Sequence, residues 1–344
     1  MKASRIVLLA VFCAVAALTS AFAQPGASQA DSPPAGQTQP ERCKVGIFVV
    51  DLHEVDIQKK IFGSSFWLWS LCGNDKRNPL KTIEFVNANS TNAALDATLP
   101  RGDQFWSSRK IGGSFRNDFD VRNFPFDRHE LTITMEEGVD DTREFQYEGD
   151  VAKSGVDPRV KLPGWRVTGF KLSQAERDYN TTFGDPSLPG NASAQYGRLV
   201  AEVHIARDSF TSFFKMAAVV YVAATLALLS FLFYLDAPSS FGSRISFLGG
   251  SLFATVINMR VSSAELGSNV GMTLIDMIHL TSLTLIITAT ILTIVADRRL
   301  GSNRAGDTVL RDQVRRFDLH NMIICGSVFI VANIVLISHA AIIG

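Results

Sequence analysis

The chain has 344 residues, 47% of them hydrophobic, and its 33 basic and 33 acidic residues give a formal net charge of zero. This balance argues against a nucleic-acid partner, which would require an excess of basic residues. The high apolar content indicates a membrane protein with a large water-soluble part.

The first 42 residues resemble an export signal and a linker. Residues 1–23 combine a basic start, an apolar run and Ala-Phe-Ala before Gln24, which predicts a secretory signal peptide. A short membrane anchor is the alternative. Residues 24–42 are rich in Pro, Gln, Ala and Ser, so we expect a flexible leader.

Short alternating apolar runs separated by turn residues fill residues 43–208. Examples are GIFVVDL, FWLWSL and LTITM. Many short strands in an exported chain predict a β-sandwich. Paired carboxylates occur here at turns, where solvated side chains are the usual explanation, so we expect no enzymatic activity. The spacing of Cys and His predicts no metal site, and no cofactor is expected.

Two cysteines flank the first pair of predicted strands. A hairpin with its turn near residues 56–60 brings Cys43 and Cys72 nearly opposite each other. In an oxidising compartment these cysteines could form a disulfide. Two free buried thiols are the alternative, and the sequence leaves both open.

The last part, residues 209–344, contains four long segments that predict a four-helix transmembrane domain. We place the helices at about 213–235, 244–264, 272–296 and 318–343, with a cytoplasmic loop at 297–316 that holds six arginines. The second helix is rich in Ser, Gly and Thr, which are costly against lipid. Such a helix is expected to line a water-filled path.

Several motifs together resemble the pentameric ligand-gated ion channels, the Cys-loop receptor superfamily. They are NFPFD at 123–127, GIFVVDLHEVD, FWLW, GWRVTGF and the FGSRIS that opens the second helix. The resemblance extends from Val45 to the C-terminus, but the family's two loop cysteines are replaced by Asn117 and Leu131, as is typical of bacterial members. It implies an extracellular or periplasmic β-sandwich followed by four transmembrane helices, in a homopentamer in the bacterial inner membrane.

The resemblance also assigns roles to residues. The pore-lining positions would be Ser246, Gly250, Phe253, Ile257 and Arg260, with Ser243 and Arg244 at the inner mouth. Domain coupling would involve Asp56, Phe124, Pro125, Asp127 and Arg207. A small-molecule agonist would bind among Trp67, Trp69, Phe145, Tyr147, Tyr179 and Phe183. Protons are an alternative stimulus, inorganic ions would permeate, and lipid would surround the helices.

Some interpretations compete. A polar stripe of Ser251, Thr255, Asn258 and Ser262 would line the pore if the second helix were rotated. Phe253 would form a hydrophobic gate, or it would only pack between helices. A ring of Arg244 side chains would favour anions, whereas Glu265 at the outer end would favour cations. A non-conducting periplasmic sensor with the same fold is the alternative function.

Overall fold

The computed structural model describes residues 39–74, 77–186, 193–235, 238–266, 271–301 and 307–343. The predicted signal peptide and all but the last residues of the predicted leader lie outside these ranges. The N-terminal half of the described chain consists of strands, and the C-terminal half consists of helices.

Within the described ranges, ten strands and a one-turn helix build the β domain. The strands are β1 (Glu41–Asp56), β2 (Ile61–Cys72), β3 (Ile83–Phe85), β4 (Ala88–Arg101), β5 (Gln104–Arg116), β6 (Arg128–Glu137), β7 (Phe145–Gly149), β8 (Gly155–Val156), β9 (Trp165–Tyr179) and β10 (Ala194–Arg207). The one-turn helix α1 (Pro79–Thr82) leads into β3.

The strands form two sheets that share one hydrophobic core. The first sheet has the order β4-β5-β2-β1-β7, with β8 also paired to β1, and the second has the order β3-β6-β10-β9. Alternate residues of a strand point to opposite faces. In β6, Leu131, Ile133 and Met135 are buried, and they share a core with Val45 and Phe66 of the first sheet. The predicted β-rich domain is therefore present.

The β1–β2 hairpin brings two cysteines together at its open end. Lys44 pairs with Leu71, so the residues next to them along each strand also face each other. Cys43 and Cys72 form a disulfide in the structure, with their Cα atoms 4.6 Å apart. The bond ties the start of β1 to the end of β2.

Four long helices follow in the described part of the chain, but the prediction that all four span the membrane is wrong. The helices are α2 (Ser209–Leu229), α3 (Pro238–Leu266), α4 (Leu274–Leu300) and α5 (Thr308–Ile343). Among the described residues, three segments are long and apolar enough to cross a membrane: α2 together with the helical turn that follows it to Leu232, α4 and α5. α3 has the length but not the composition, because Ser, Gly, Thr, Asn and Arg interrupt its apolar residues.

Helix ends also differ from the predicted boundaries. α4 continues to Leu300 and α5 begins at Thr308, so both helices extend into the segment predicted as a cytoplasmic loop. The start of α4 is fixed by a reciprocal cap. The Thr273 hydroxyl accepts a hydrogen bond from the backbone N–H of Asp276, whose carboxylate accepts one from the N–H of Thr273.

A second hydrophobic cluster joins the β domain to the helices. Val121 and Phe124, in the loop between β5 and β6, pack with Leu266 of α3 and Leu274 of α4. The backbone N–H of Leu274 also donates a hydrogen bond to the carbonyl of Arg122, at 2.9 Å. The β5–β6 loop therefore lies directly on the end of the helical part that contains the start of α4.

Candidate functional site

The first candidate site is an ion pair at this junction between β domain and helices. Asp127 follows the cis peptide bond between Phe124 and Pro125 in the β5–β6 loop, and Arg207 is the last residue of β10. The guanidinium of Arg207 donates two hydrogen bonds to the Asp127 carboxylate, at 2.7 and 2.9 Å. Asp127 is only 2% exposed, so this is a buried pair.

Three neighbours complete what we call the junction cluster: Phe124, which the sequence analysis named, and His129 and Trp165, which it did not. The ring of His129 donates a hydrogen bond from Nε2 to Asp127 at 2.7 Å. The Arg207 guanidinium lies over the rings of Trp165 and Phe124, at 4.1 and 4.7 Å from their centroids. Burial acts to raise the pKa of Asp127, but the hydrogen bonds from His129 and Arg207 outweigh it and the pKa is lowered.

Asp56 is not part of this junction cluster. It lies at the end of β1 and forms an ion pair with Lys59 in the same turn, at 2.9 Å. Ile57 of the same turn packs against the second hydrophobic cluster, which contains Phe124. Of the predicted coupling residues, the structure therefore brings together Phe124, Asp127 and Arg207, with Pro125 buried beside them.

The second candidate site is the face of α3 that no other helix of the described ranges covers. Phe253 and Ile257 are 71% and 61% exposed. The other predicted pore positions, Ser246, Gly250 and Arg260, are exposed as well, and so is Ser243. These residues follow one another at spacings of three and four along the helix and therefore share one side of it. We call this set the uncovered face of α3.

The opposite side of α3 holds the competing polar stripe, and it is packed against other helices. Ser251 and Thr255 are buried, and the Thr255 hydroxyl bonds the carbonyl of Ser251 at 2.9 Å. Asn258 donates to the carbonyl of Met216 in α2, at 2.8 Å, and to Nε2 of His279 in α4, at 3.1 Å. Thr255 and Asn258 thus make their hydrogen bonds within the chain, and Ser251 is buried beside them, so these three residues do not lie on the uncovered face. The side chain of Ser262 lies outside the described part.

Arg244 does not lie on the uncovered face, in contrast to its predicted place at an inner mouth. It is fully buried and donates a hydrogen bond to the carboxylate of Asp318 in α5, at 2.5 Å. It also donates to the carbonyls of Phe233 and Phe231, at 2.6 and 3.2 Å, where the chain turns after α2. The positive charge of Arg244 is thus neutralised inside the bundle.

The predicted agonist residues lie in three different surroundings. Phe145 and Tyr147 are buried in the core, where the Tyr147 hydroxyl donates to Glu137 at 3.3 Å. Trp67 and Trp69 are half-buried on β2, and the Trp69 indole donates to Asp150. These four residues therefore do not form one pocket within the chain.

Tyr179 and Phe183 do meet, together with a third ring. Their centroids are 5.2 Å apart, and Tyr196 of β10 lies 6.0 and 6.1 Å from them. The Tyr179 hydroxyl donates to Glu136 at 2.7 Å and accepts from Arg198 at 3.0 Å. Burial and the Glu136 carboxylate raise the pKa of Tyr179. We call Tyr179, Phe183 and Tyr196 the aromatic cluster. Its position beside the β9–β10 connection leaves Phe183 exposed.

Within the described ranges, no three His, Cys, Asp or Glu side chains converge as a metal site would require. The chain matches no protein-family model, and no curated protein matches it. The structure does define a class, a membrane protein with a two-sheet β domain and three apolar helices packed with a more polar one. Its function has to be inferred from the junction cluster, the two sides of α3 and the aromatic cluster.

Proposed function

We propose that the chain is a subunit of a ligand-gated ion channel, in which five copies surround a central path and a ligand or pH acts on the β domain. The observation that carries this proposal is the uncovered face of α3. A helix with too many polar residues for a lipid-facing role is held against three apolar helices, and one side of it is left free. A ring of such helices would enclose water.

The distribution of polar groups around α3 supports this arrangement. Thr255 and Asn258 of the polar stripe donate hydrogen bonds inside the subunit, and Ser251 is buried there, so these three residues do not depend on the water-filled path. The uncovered face combines Ser246 and Gly250 near one end with Phe253 and Ile257 near the middle. A narrow ring of large apolar side chains can stop ion flow by excluding water, which is the role we assign to Phe253.

The junction cluster supports transmission from the β domain to the helices. The β5–β6 loop contacts both α3 and α4, and Arg207 connects this loop to the strand that continues into α2. A change in the β domain would therefore reach α3 through packed and ion-paired side chains. A closed ring of identical subunits suits a chain that presents different faces to its two neighbours.

The aromatic cluster is the place we propose for the ligand. Three rings, of which Phe183 is exposed, could hold an ammonium group by cation–π attraction, and Trp67 or Trp69 of a neighbouring subunit could complete the pocket. A small-molecule amine is thus one candidate agonist, and protons are the other.

We place the protein in a bacterial inner membrane with the β domain in the periplasm. Exposed or half-exposed arginines concentrate where α4 ends and α5 begins, among them Arg298, Arg299, Arg311 and Arg316. Basic residues next to membrane spans favour the cytoplasmic side. The β domain contacts the opposite ends of α3 and α4.

A non-conducting sensor is the second candidate. Phe253 and Ile257 place two large apolar side chains on the face that would surround the path, and five copies of each could close it permanently. The fold and the ligand site would then serve binding without conduction.

The experiment that tests the proposal is a current measurement on purified protein in a planar bilayer, with pH and a panel of amines varied on the β-domain side. A current that depends on one of these stimuli supports the channel. Protein established as a pentamer that stays silent, both as wild type and as Phe253→Ala, would favour the sensor, because the smaller side chain removes the proposed plug.

A further inference from the structure

The uncovered face of α3 carries one charged residue, Arg260. It lies seven residues after Phe253, about two helical turns, so the two side chains leave the helix in nearly the same direction. The Arg260 side chain is exposed. Among the described side chains, no carboxylate forms an ion pair with it. The guanidinium is therefore directed to the same space as Phe253 and Ile257.

The other arginine of α3 contributes no charge to this space. Arg244 lies nine residues before Phe253, so its side chain leaves α3 on the side opposite to Phe253. Its charge is neutralised by Asp318. The inner half of the uncovered face is lined by Ser243, Ser246 and Gly250, which are uncharged. The fixed charge of this face thus comes from its outer half.

Glu265 is the remaining charged residue of α3. It follows Arg260 by five residues, which rotates it by about 140° around the helix axis. By helical position it belongs to a different side of α3 from Phe253. Leu266, at the end of α3, belongs to the same hydrophobic cluster as Val121 and Phe124 of the β5–β6 loop, so α3 runs from Phe253 toward the β domain. In this direction Arg260 comes before Glu265.

We propose that Arg260 makes the conduction path selective for small inorganic anions such as chloride. This inference rests on the proposed channel function and names its permeant ion. Five guanidinium groups around one axis, close to low-dielectric helix walls, concentrate anions and repel cations. Arginine keeps its charge at any physiological pH, so the preference should not depend on pH between about 5 and 8.

The test is the reversal potential of the current in asymmetric potassium chloride, for the wild type and two variants. The reversal potential of the wild type should lie between zero and the chloride equilibrium potential. Arg260→Gln should shift the reversal potential toward the potassium equilibrium potential, because the ring of positive charge is lost. Arg260→Lys keeps the charge and should reverse close to the wild type. Glu265→Gln is the matched control and should leave the chloride preference in place.

A cysteine variant keeps the test valid if Arg260→Gln does not assemble. Arg260→Cys in a Cys325→Ser background can be modified after incorporation into the bilayer, since the other described cysteines are joined in a disulfide. A cationic thiol reagent should restore the chloride preference and an anionic reagent should reverse it.

The outcomes separate this inference from the proposed function. A gated current that prefers cations, or one whose preference is the same in Arg260→Gln, supports the channel and overturns the role of Arg260. The absence of any current, including in Phe253→Ala, contradicts both. A chloride preference that disappears in Arg260→Gln and persists in Arg260→Lys is the result we expect.

Discussion

The guanidinium of Arg207 binds the carboxylate of Asp127 through two hydrogen bonds, and the aromatic rings of Trp165 and Phe124 cover its face. The pair joins the end of the last strand to the loop that contacts α3 and α4. Because α2 begins two residues after Arg207, this contact fixes the point where the chain passes from one domain to the other.

We expect Asp127→Asn to destabilise the protein by about 3 to 5 kcal/mol, since it leaves the charge of Arg207 without a partner in a buried place. Thermal unfolding of the detergent-solubilised protein measures this change. Asp120→Asn is the matched control, because Asp120 pairs with Arg122 in the same loop but on the surface. Equal effects of the two substitutions would contradict the role of burial.

The same pair predicts a dependence on pH. The pKa of Asp127 is lower in the folded state than in an unfolded chain, where the pKa of an aspartate is about 3.9. The stability that the pair contributes is therefore complete above that pH and is lost as the pH falls through the folded-state pKa. Asp127→Asn should remove this part of the acid sensitivity. An unchanged acid-unfolding profile would contradict the prediction.

Glu137 predicts a dependence of the opposite sign. This residue is 2% exposed and accepts hydrogen bonds from the hydroxyls of Thr82 and Tyr147, and burial raises its pKa. The folded state thus binds the proton more tightly, and stability is lost as the pH rises through the raised pKa. Glu137→Gln should be more stable than the wild type near neutral pH, and the difference should shrink in acid.

Glu84→Gln serves as the control for Glu137, because Glu84 is exposed on the neighbouring strand β3. Unfolding midpoints of both variants should be measured across the acidic range. A Glu137→Gln protein that is less stable than the wild type at every pH would contradict this account of the buried carboxylate.

The Arg244–Asp318 pair predicts strong coupling between α3 and α5. Asp318→Asn alone should cost about 3 to 5 kcal/mol, because Arg244 would remain charged and buried. Replacing both residues by leucine should recover much of this loss, since no charge is left to be compensated. Thermal unfolding of Arg244→Leu, Asp318→Leu and the double variant forms a double-mutant cycle that gives the coupling. Additive effects in this cycle would show that the pair does not act as a unit.

The Cys43–Cys72 disulfide closes a loop with a sequence separation of 29 residues. A cross-link of this length should stabilise the protein by about 3 to 4 kcal/mol through the unfolded chain. A reducing agent should therefore lower the unfolding temperature of the wild type. The Cys43→Ser/Cys72→Ser variant should unfold at the lower temperature with or without the agent. A wild-type unfolding temperature that does not change when the reducing agent is added would contradict the prediction.

The β-rich domain and the apolar helices could be predicted from the sequence because burial of one face leaves a regular pattern. Alternation in segments such as LTITM reflects strands with one face in the core. Uninterrupted apolar runs identify α2, α4 and α5 as possible membrane spans. α3 does not give such a signal, since polar residues interrupt its apolar ones. The prediction that this helix, the second of the four, also spans the membrane was therefore wrong.

The surroundings of individual polar and aromatic residues could not be predicted in the same way. The sequence does not distinguish a polar residue facing water from one satisfied inside a bundle, such as Asn258 between α2 and α4. Arg244 finds its partner 74 residues away in α5, which no local pattern indicates. Phe145 and Tyr147 resemble binding-site aromatics in the sequence but belong to the core.

If the proposed function is correct, the uncovered face of α3 faces water in the assembled protein, and cysteine accessibility measures this exposure. Single cysteines would be introduced along α3 in a Cys325→Ser background and exposed to a charged, membrane-impermeant thiol reagent. We predict labelling at positions 246, 250, 253 and 257 and protection at 251 and 255, which are buried. Labelling at 251 and 255 with protection of the uncovered face, or no labelling along the helix, would contradict the account.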